Sequence, residues 1–142
     1  ALGGAAAAAR IRHCGFWAHE GLAGIGEVLV LLRRQAAGPG QRAIEEAWSR
    51  IGVRLTAHGH SFPAGQAIVQ RLQGEWALAC GREREGRQCL QRAVRSAEQQ
   101  GMRVELARSC QSLAGLDSAS PLHERARRLW LEMRAPAAVA AP

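Results

Sequence analysis

Tyrosine and lysine are absent from the 142 residues, phenylalanine occurs twice and aspartate once. Runs of Val, Ile and Thr are missing too, so nothing reads as a strand, and an all-β fold is excluded at this level. No stretch is long and apolar enough to span a membrane: Ile25 to Leu32 covers only about two turns before Arg33-Arg34, far short of the roughly 20 residues a spanning helix needs. The alanine-rich N-terminus lacks the charged start and cleavage pattern of a secretory signal. None of Cys14, Cys80, Cys89 and Cys110 belongs to a C-x-x-C pair, and their spacing fits no zinc or redox pattern. Cysteines on apolar helix faces behave as small hydrophobes, so a reducing cytoplasm is the expected setting. With no initiator Met, an alanine run at one end and APAAVAAP at the other, the chain is expected to be the tail of something larger.

What is present is alanine, glycine and arginine. Hydrophobic residues make up 47% and charged ones 22%, ordinary proportions for a globular chain of one domain. An Ala-rich, aromatic-poor interior suits closely packed helices. The net charge is +7 and every Lys/Arg position is Arg. That bias is the mark of a GC-rich genome more than of selected phosphate chemistry, because the arginines are spread along helices. A single domain is expected over residues 1–135, with residues 136–142 as a disordered tail.

Periodicity gives about seven helices. The first ends at Gly15. The second runs from Phe16 to Ala37 with Leu22, Ile25, Leu29 and Leu32 in its stripe, and its Gly21, Gly24 and Gly26 imply close approach of a neighbouring backbone. Gly38-Pro39-Gly40 reads as a break. A third helix, from about Gln41 to Ala57, carries Ile44, Trp48, Ile51 and Leu55, with Glu46 and Arg50 spaced as an exposed pair. His58 to Pro63 reads as a second break, with Ser61 available as a cap. The fourth helix, with Ile68, Val69, Leu72 and Trp76, ends at Gly81, and the fifth, Glu83 to Gln100, ends at Gly101. The sixth carries Met102, Leu106, Cys110 and Leu113. Ser120 and Pro121 open the last, which buries Leu122, Ala126, Leu129, Trp130 and Met133. Short turns between helices imply an antiparallel up-and-down order.

An offset of 40 residues relates Gly74 to Ala114, Gly86 to Ala126 and Leu90 to Trp130. Small residues at such positions let paired helix backbones approach, and a hairpin that cannot bury its stripe alone must stack on neighbours. Gly74, Gly86, Leu90, Ala93, Leu113, Ala126 and Trp130 are the expected helix-packing residues. The pattern resembles a degenerate tetratricopeptide repeat. It departs in Gln73 at an apolar position, in Ala77 for an aromatic, in lacking a proline at Gln99-Gln100, and in a spacing longer than that motif's usual length. Gly101-Met102, Glu105-x-Ala107-Arg108 and Glu124-Arg125-Ala126-Arg127-x-Leu129 are similar to the last repeats of large bacterial multidomain regulators. Those proteins join an ATPase and tetratricopeptide repeats to class III adenylyl/guanylyl cyclase, kinase or DNA-binding domains. The resemblance implies an all-α, tetratricopeptide-like stack of antiparallel hairpins forming a short right-handed solenoid. No nucleotide-binding or cyclase motif of such proteins is present.

Candidate chemistry is thin. His58-Gly59-His60 lacks a third ligand nearby. His13-Cys14 beside His19 and Glu20 lacks the strand-turn-helix that supports a nucleophile. Gly21-x-x-Gly24-x-Gly26 follows no strand and precedes no Lys-Ser/Thr, so it is no phosphate cradle. Asp117 and the scattered glutamates form no acid–base pair, and most sit at salt-bridge spacing on exposed faces. Arg82 and Arg92 point differently from Arg84 and Arg95, and no aromatics interleave for base stacking. No catalytic, cofactor or metal residue is assigned. The expected role is a non-catalytic protein-interaction or regulatory scaffold, its partner a protein, a peptide or another domain of the same chain, with Arg84 and Arg95 as candidate partner-binding residues. No membrane contact is expected. The alternative is a basic helical nucleic-acid-binding domain.

Overall fold

The computed structural model describes residues 16–117 and 119–134. The expected N-terminal helix, Cys14 and the tail at 136–142 lie outside them. Among the described residues the chain is all-helical, with six helices and no strand: α1 (Phe16–Gln35), α2 (Pro39–Ser61), α3 (Pro63–Ala79), α4 (Glu83–Gln99), α5 (Arg103–Ala114) and α6 (Leu122–Arg134). No helix among them is long and apolar enough to cross a membrane.

The turns show why the helices stop where they do. Gly81 and Gly101 have φ of 75° and 66°, a left-handed conformation that glycine adopts without a Cβ clash. At the first, Arg82 N–H donates to Ala77 O at 2.8 Å and Gly81 N–H to Leu78 O at 2.9 Å. At the second, Met102 N–H reaches Ala97 O at 2.9 Å and Gly101 N–H reaches Glu98 O at 3.1 Å. Both are complete Schellman closures, which satisfy the last carbonyls and reverse the chain within a few residues. Ser120 Oγ accepts the N–H of Leu122 at 3.3 Å, just before α6.

Two expected breaks are corrected. The first turn of α2 begins at Pro39, whose ring suits that position, so Gly40 is helical and the break falls before it. At its other end α2 continues through His58-Gly59-His60 to Ser61, and Phe62 alone, extended at φ −128° and ψ 102°, separates it from α3. Gly59 fits inside the helix because Val69 lies against it: a Cβ there would sit 3.1 Å from Val69 Cγ2. Ser61 does not cap α3. Its hydroxyl donates back to Ala57 O at 3.2 Å, and Phe62 occupies the N-cap position.

Each helix packs on its neighbour in sequence, and α3 also packs on α1 and touches α5. One core lies among α1, α2 and α3, built on Leu29, Ile51, Leu55, Leu72 and Trp76. The other joins α4, α5 and α6 through Leu90, Val94, Leu106, Cys110 and Ala126, with Ala67 of α3 reaching into it. α2 and α4 do not pack on each other, and a groove is left between them.

Candidate functional site

The tightest contact in the molecule is the α3–α4 crossing. A Cβ added at Gly74 would lie 2.7 Å from Leu90 Cγ and 3.0 Å from the Gly86 carbonyl oxygen. One added at Gly86 would lie 2.5 Å from Leu78 Cδ2 and 3.0 Å from the Gly74 carbonyl oxygen. The two glycines therefore face each other, flanked by fully buried Leu90 and Ala93. In the following pair of helices Leu113, Ala114 and Ala126 are buried and Trp130 is half-buried. The glycines of α1 divide differently. Gly26 meets the side chains of Leu72 and Leu55 at 3.2 and 3.4 Å, whereas Gly21 and Gly24 have nothing within 4 Å. Among the described residues, no neighbouring backbone approaches those three positions closely.

Alternate helices meet through charge. Arg71 of α3 is only 3% exposed, and its guanidinium donates to three carboxylates: Nη2 to Glu27 of α1 at 2.7 Å, Nη1 to Glu75 at 3.2 Å and Nε to Glu105 of α5 at 2.8 Å. Arg108 adds contacts to Glu27 at 3.0 Å and Glu105 at 3.3 Å, and Ser112 Oγ donates to Glu75 at 2.7 Å. Burial alone would lower the Arg71 pKa, but the field of Glu105 and Glu75 and the hydrogen bonds to Glu105 and Glu27 raise it instead. A guanidinium fork with planar donors is the group that can serve three carboxylates at once. Glu105 is thus buried, an exception among glutamates that mostly sit on exposed faces. The exposed pair at the start of α2 is also reassigned: Glu46 meets Arg42 at 3.4 Å, not Arg50.

The groove between α2 and α4 has a volume of about 860 Å³, within the range of ligand sites. Its floor is the stacked pair Trp48 and Trp76, with ring centroids 4.3 Å apart and planes 5° apart. Val53, 70% exposed, stands on the α2 wall, and Glu85 and Arg92 of α4, with Arg82 just before that helix, stand on the other. A further recess of about 230 Å³, sharing Thr56, His60, Gln73 and Arg92 with it, extends toward Gln66 and Gln70. Gln73 Nε2 donates to Thr56 Oγ1 at 3.1 Å, tying α3 to α2, so the glutamine that breaks the repeat pattern has a polar partner. Arg84 and Arg95 are exposed but do not line the groove, where Arg82 and Arg92 stand instead. Nothing in one-dimensional spacing distinguished these two pairs by partner.

Among the described residues no cluster of three or more His, Cys, Asp or Glu is placed to hold a metal ion. Burial pushes the Cys110 thiol up, with Arg125 opposing and Glu98 adding to the shift, the reverse of what an activated nucleophile needs. His60 Nδ1 lies 2.8 Å from Thr56 O within its own helix. No protein-family model, curated protein or solved structure matches the chain.

Proposed function

We propose that this chain is a non-catalytic protein-interaction module, a tetratricopeptide-like stack of antiparallel helical hairpins that presents a groove to a peptide or to another domain of its own chain. In this reading α1–α2, α3–α4 and α5–α6 are successive hairpins of a short solenoid, and the module serves a cytoplasmic bacterial regulator. The observation that carries it is the packing of α3 on α1 and α5 while α2 and α4 stand apart. Such packing joins successive hairpins through their first helices and leaves the surfaces between the second helices free. The motifs of the last helices, Glu105-x-Ala107-Arg108 and Glu124-Arg125-Ala126, support the regulator context by resemblance.

Selection of a displayed random-peptide library against the full chain tests this. Enrichment of peptides that bind in solution and compete with one another is expected. The alternative, a nucleic-acid-binding domain, draws on Arg84, Arg92 and Arg95 of α4, none of which is ion-paired among the described residues. It requires binding to duplex or single-stranded DNA that falls steeply with salt and is abolished by Arg84→Glu with Arg95→Glu. That result, with no peptide enriched, would replace the interaction reading.

A further inference from the structure

We propose that the groove between α2 and α4 takes an extended acidic peptide segment bearing one large apolar side chain, which seats against Val53 and Trp48 while a neighbouring carboxylate meets Arg92. This rests on the interaction-module reading and names the partner's chemistry.

Charge selects the acidic occupant. Every carboxylate on the two wall helices already has an arginine: Glu45 with Arg33, Glu46 with Arg42, Glu83 with Arg87, Glu85 with Arg82, and Glu98 with Arg125. Arg50, Arg54, Arg84, Arg92 and Arg95 on the same helices have no carboxylate partner among the described residues. The walls thus carry a cationic surplus with no matching unpaired anion. Arg92 is the member of that surplus that lines the groove, and its hydrogen bond is to Cys89 Sγ at 3.1 Å, a weak acceptor that a carboxylate readily replaces.

The apolar anchor follows from Val53, a large hydrophobe left 70% exposed beside a tryptophan. Covering it gains roughly 25 cal/mol for each Å² removed from water. The extended conformation follows from the recess beyond it. Gln66 and Gln70 line that recess, and the Gln70 side-chain oxygen is buried with no hydrogen-bond partner among the described residues. Rotation of that carboxamide presents an acceptor to a main-chain N–H, which an extended peptide offers and a helical one has already spent. A nucleic acid fits less well. Trp48 and Trp76 spend one face each on the other, and Trp76 is only 5% exposed, so the floor offers no row of free rings for bases.

The test uses the full chain and four fluorescein-labelled probes read by anisotropy: a short peptide with one phenylalanine among aspartates and glutamates, the same with alanine for phenylalanine, the same with lysines for the acids, and an oligo-dT. The first should bind, and its affinity should fall at least about tenfold on losing the phenylalanine or the acids, equivalent to 1.4 kcal/mol or more. Arg92→Glu and Val53→Glu, both exposed positions whose variants should keep their helical circular dichroism, should each weaken it by a similar factor, and Arg92→Lys should retain most of the binding. Equal binding of the lysine probe, tighter binding of oligo-dT, or indifference to Arg92→Glu would overturn the proposal. If the acidic probe fails while library-selected peptides of other composition bind, the module reading stands and this assignment falls. If no peptide of any kind binds, both fall.

Discussion

Adding a single methyl group should have opposite effects at two glycines. Gly24 is exposed in the interior of α1 with nothing within 4 Å of a new Cβ, so Gly24→Ala should stabilise by about 0.5–1 kcal/mol through helix propensity. At Gly86 the same gain is outweighed, because the Cβ would run into Leu78 and the Gly74 carbonyl. Gly86→Ala should cost about 1–3 kcal/mol, and Gly86→Leu should cost more. Paired urea titrations check the signs; a Gly86→Ala variant as stable as the parent would mean that α3 and α4 do not meet there. The role of Gly86 was legible because Gly74, Gly86, Leu90 and Ala93 sit at spacings that only facing helices use. Those of Gly21 and Gly24 were misread, since an equal density of glycine says nothing about what lies opposite. Among the thiols, Cys110 is fully buried and its pKa is raised, so less thiolate is present at any given pH. It should react with an aromatic disulfide reagent more slowly than half-buried Cys80, a ranking that mass mapping of the labelled sites reads directly.

Arg71 binds elements that the hydrophobic stripes alone leave loosely joined. Its partners stand 44 residues before it in α1 and 34 after it in α5, and spacing within one helix can indicate only Glu75, at a separation shared by any surface i,i+4 contact. Truncation by Arg71→Ala leaves buried Glu105 with only the longer contact to half-exposed Arg108 and should destabilise by about 3 kcal/mol, the lower end of the range for breaking a buried pair. A double-mutant cycle with Glu105→Ala should give a coupling energy in the upper part of the roughly 0.5–3 kcal/mol range for interacting pairs. Additive effects would show that α3 and α5 are not held by this pair. The continuation of α2 through His58-Gly59-His60 was hidden for a related reason. Glycine and polar residues signal a turn locally, yet Val69 of the next helix packs against Gly59 and outweighs that preference.

At the scale of the whole molecule, the all-helical character of the described residues was readable because glycine closures at Gly81 and Gly101 punctuate strong periodic stripes. The groove was not readable. It depends on two helices failing to touch, and its walls draw Val53, Arg82 and Arg92 from positions that periodicity assigns simply to water. In the proposed reading, recognition is a property of the helix packing, set by what α3 holds together on one side and leaves apart on the other. Amide hydrogen exchange of the full chain, with and without a saturating acidic phenylalanine peptide, tests this most directly. Slowed exchange confined to the groove-lining stretches of α2 and α4 and to the glutamine-bearing turns of α3 is the expected result. Slowing on α1 and α5 instead, or no change anywhere, would contradict it.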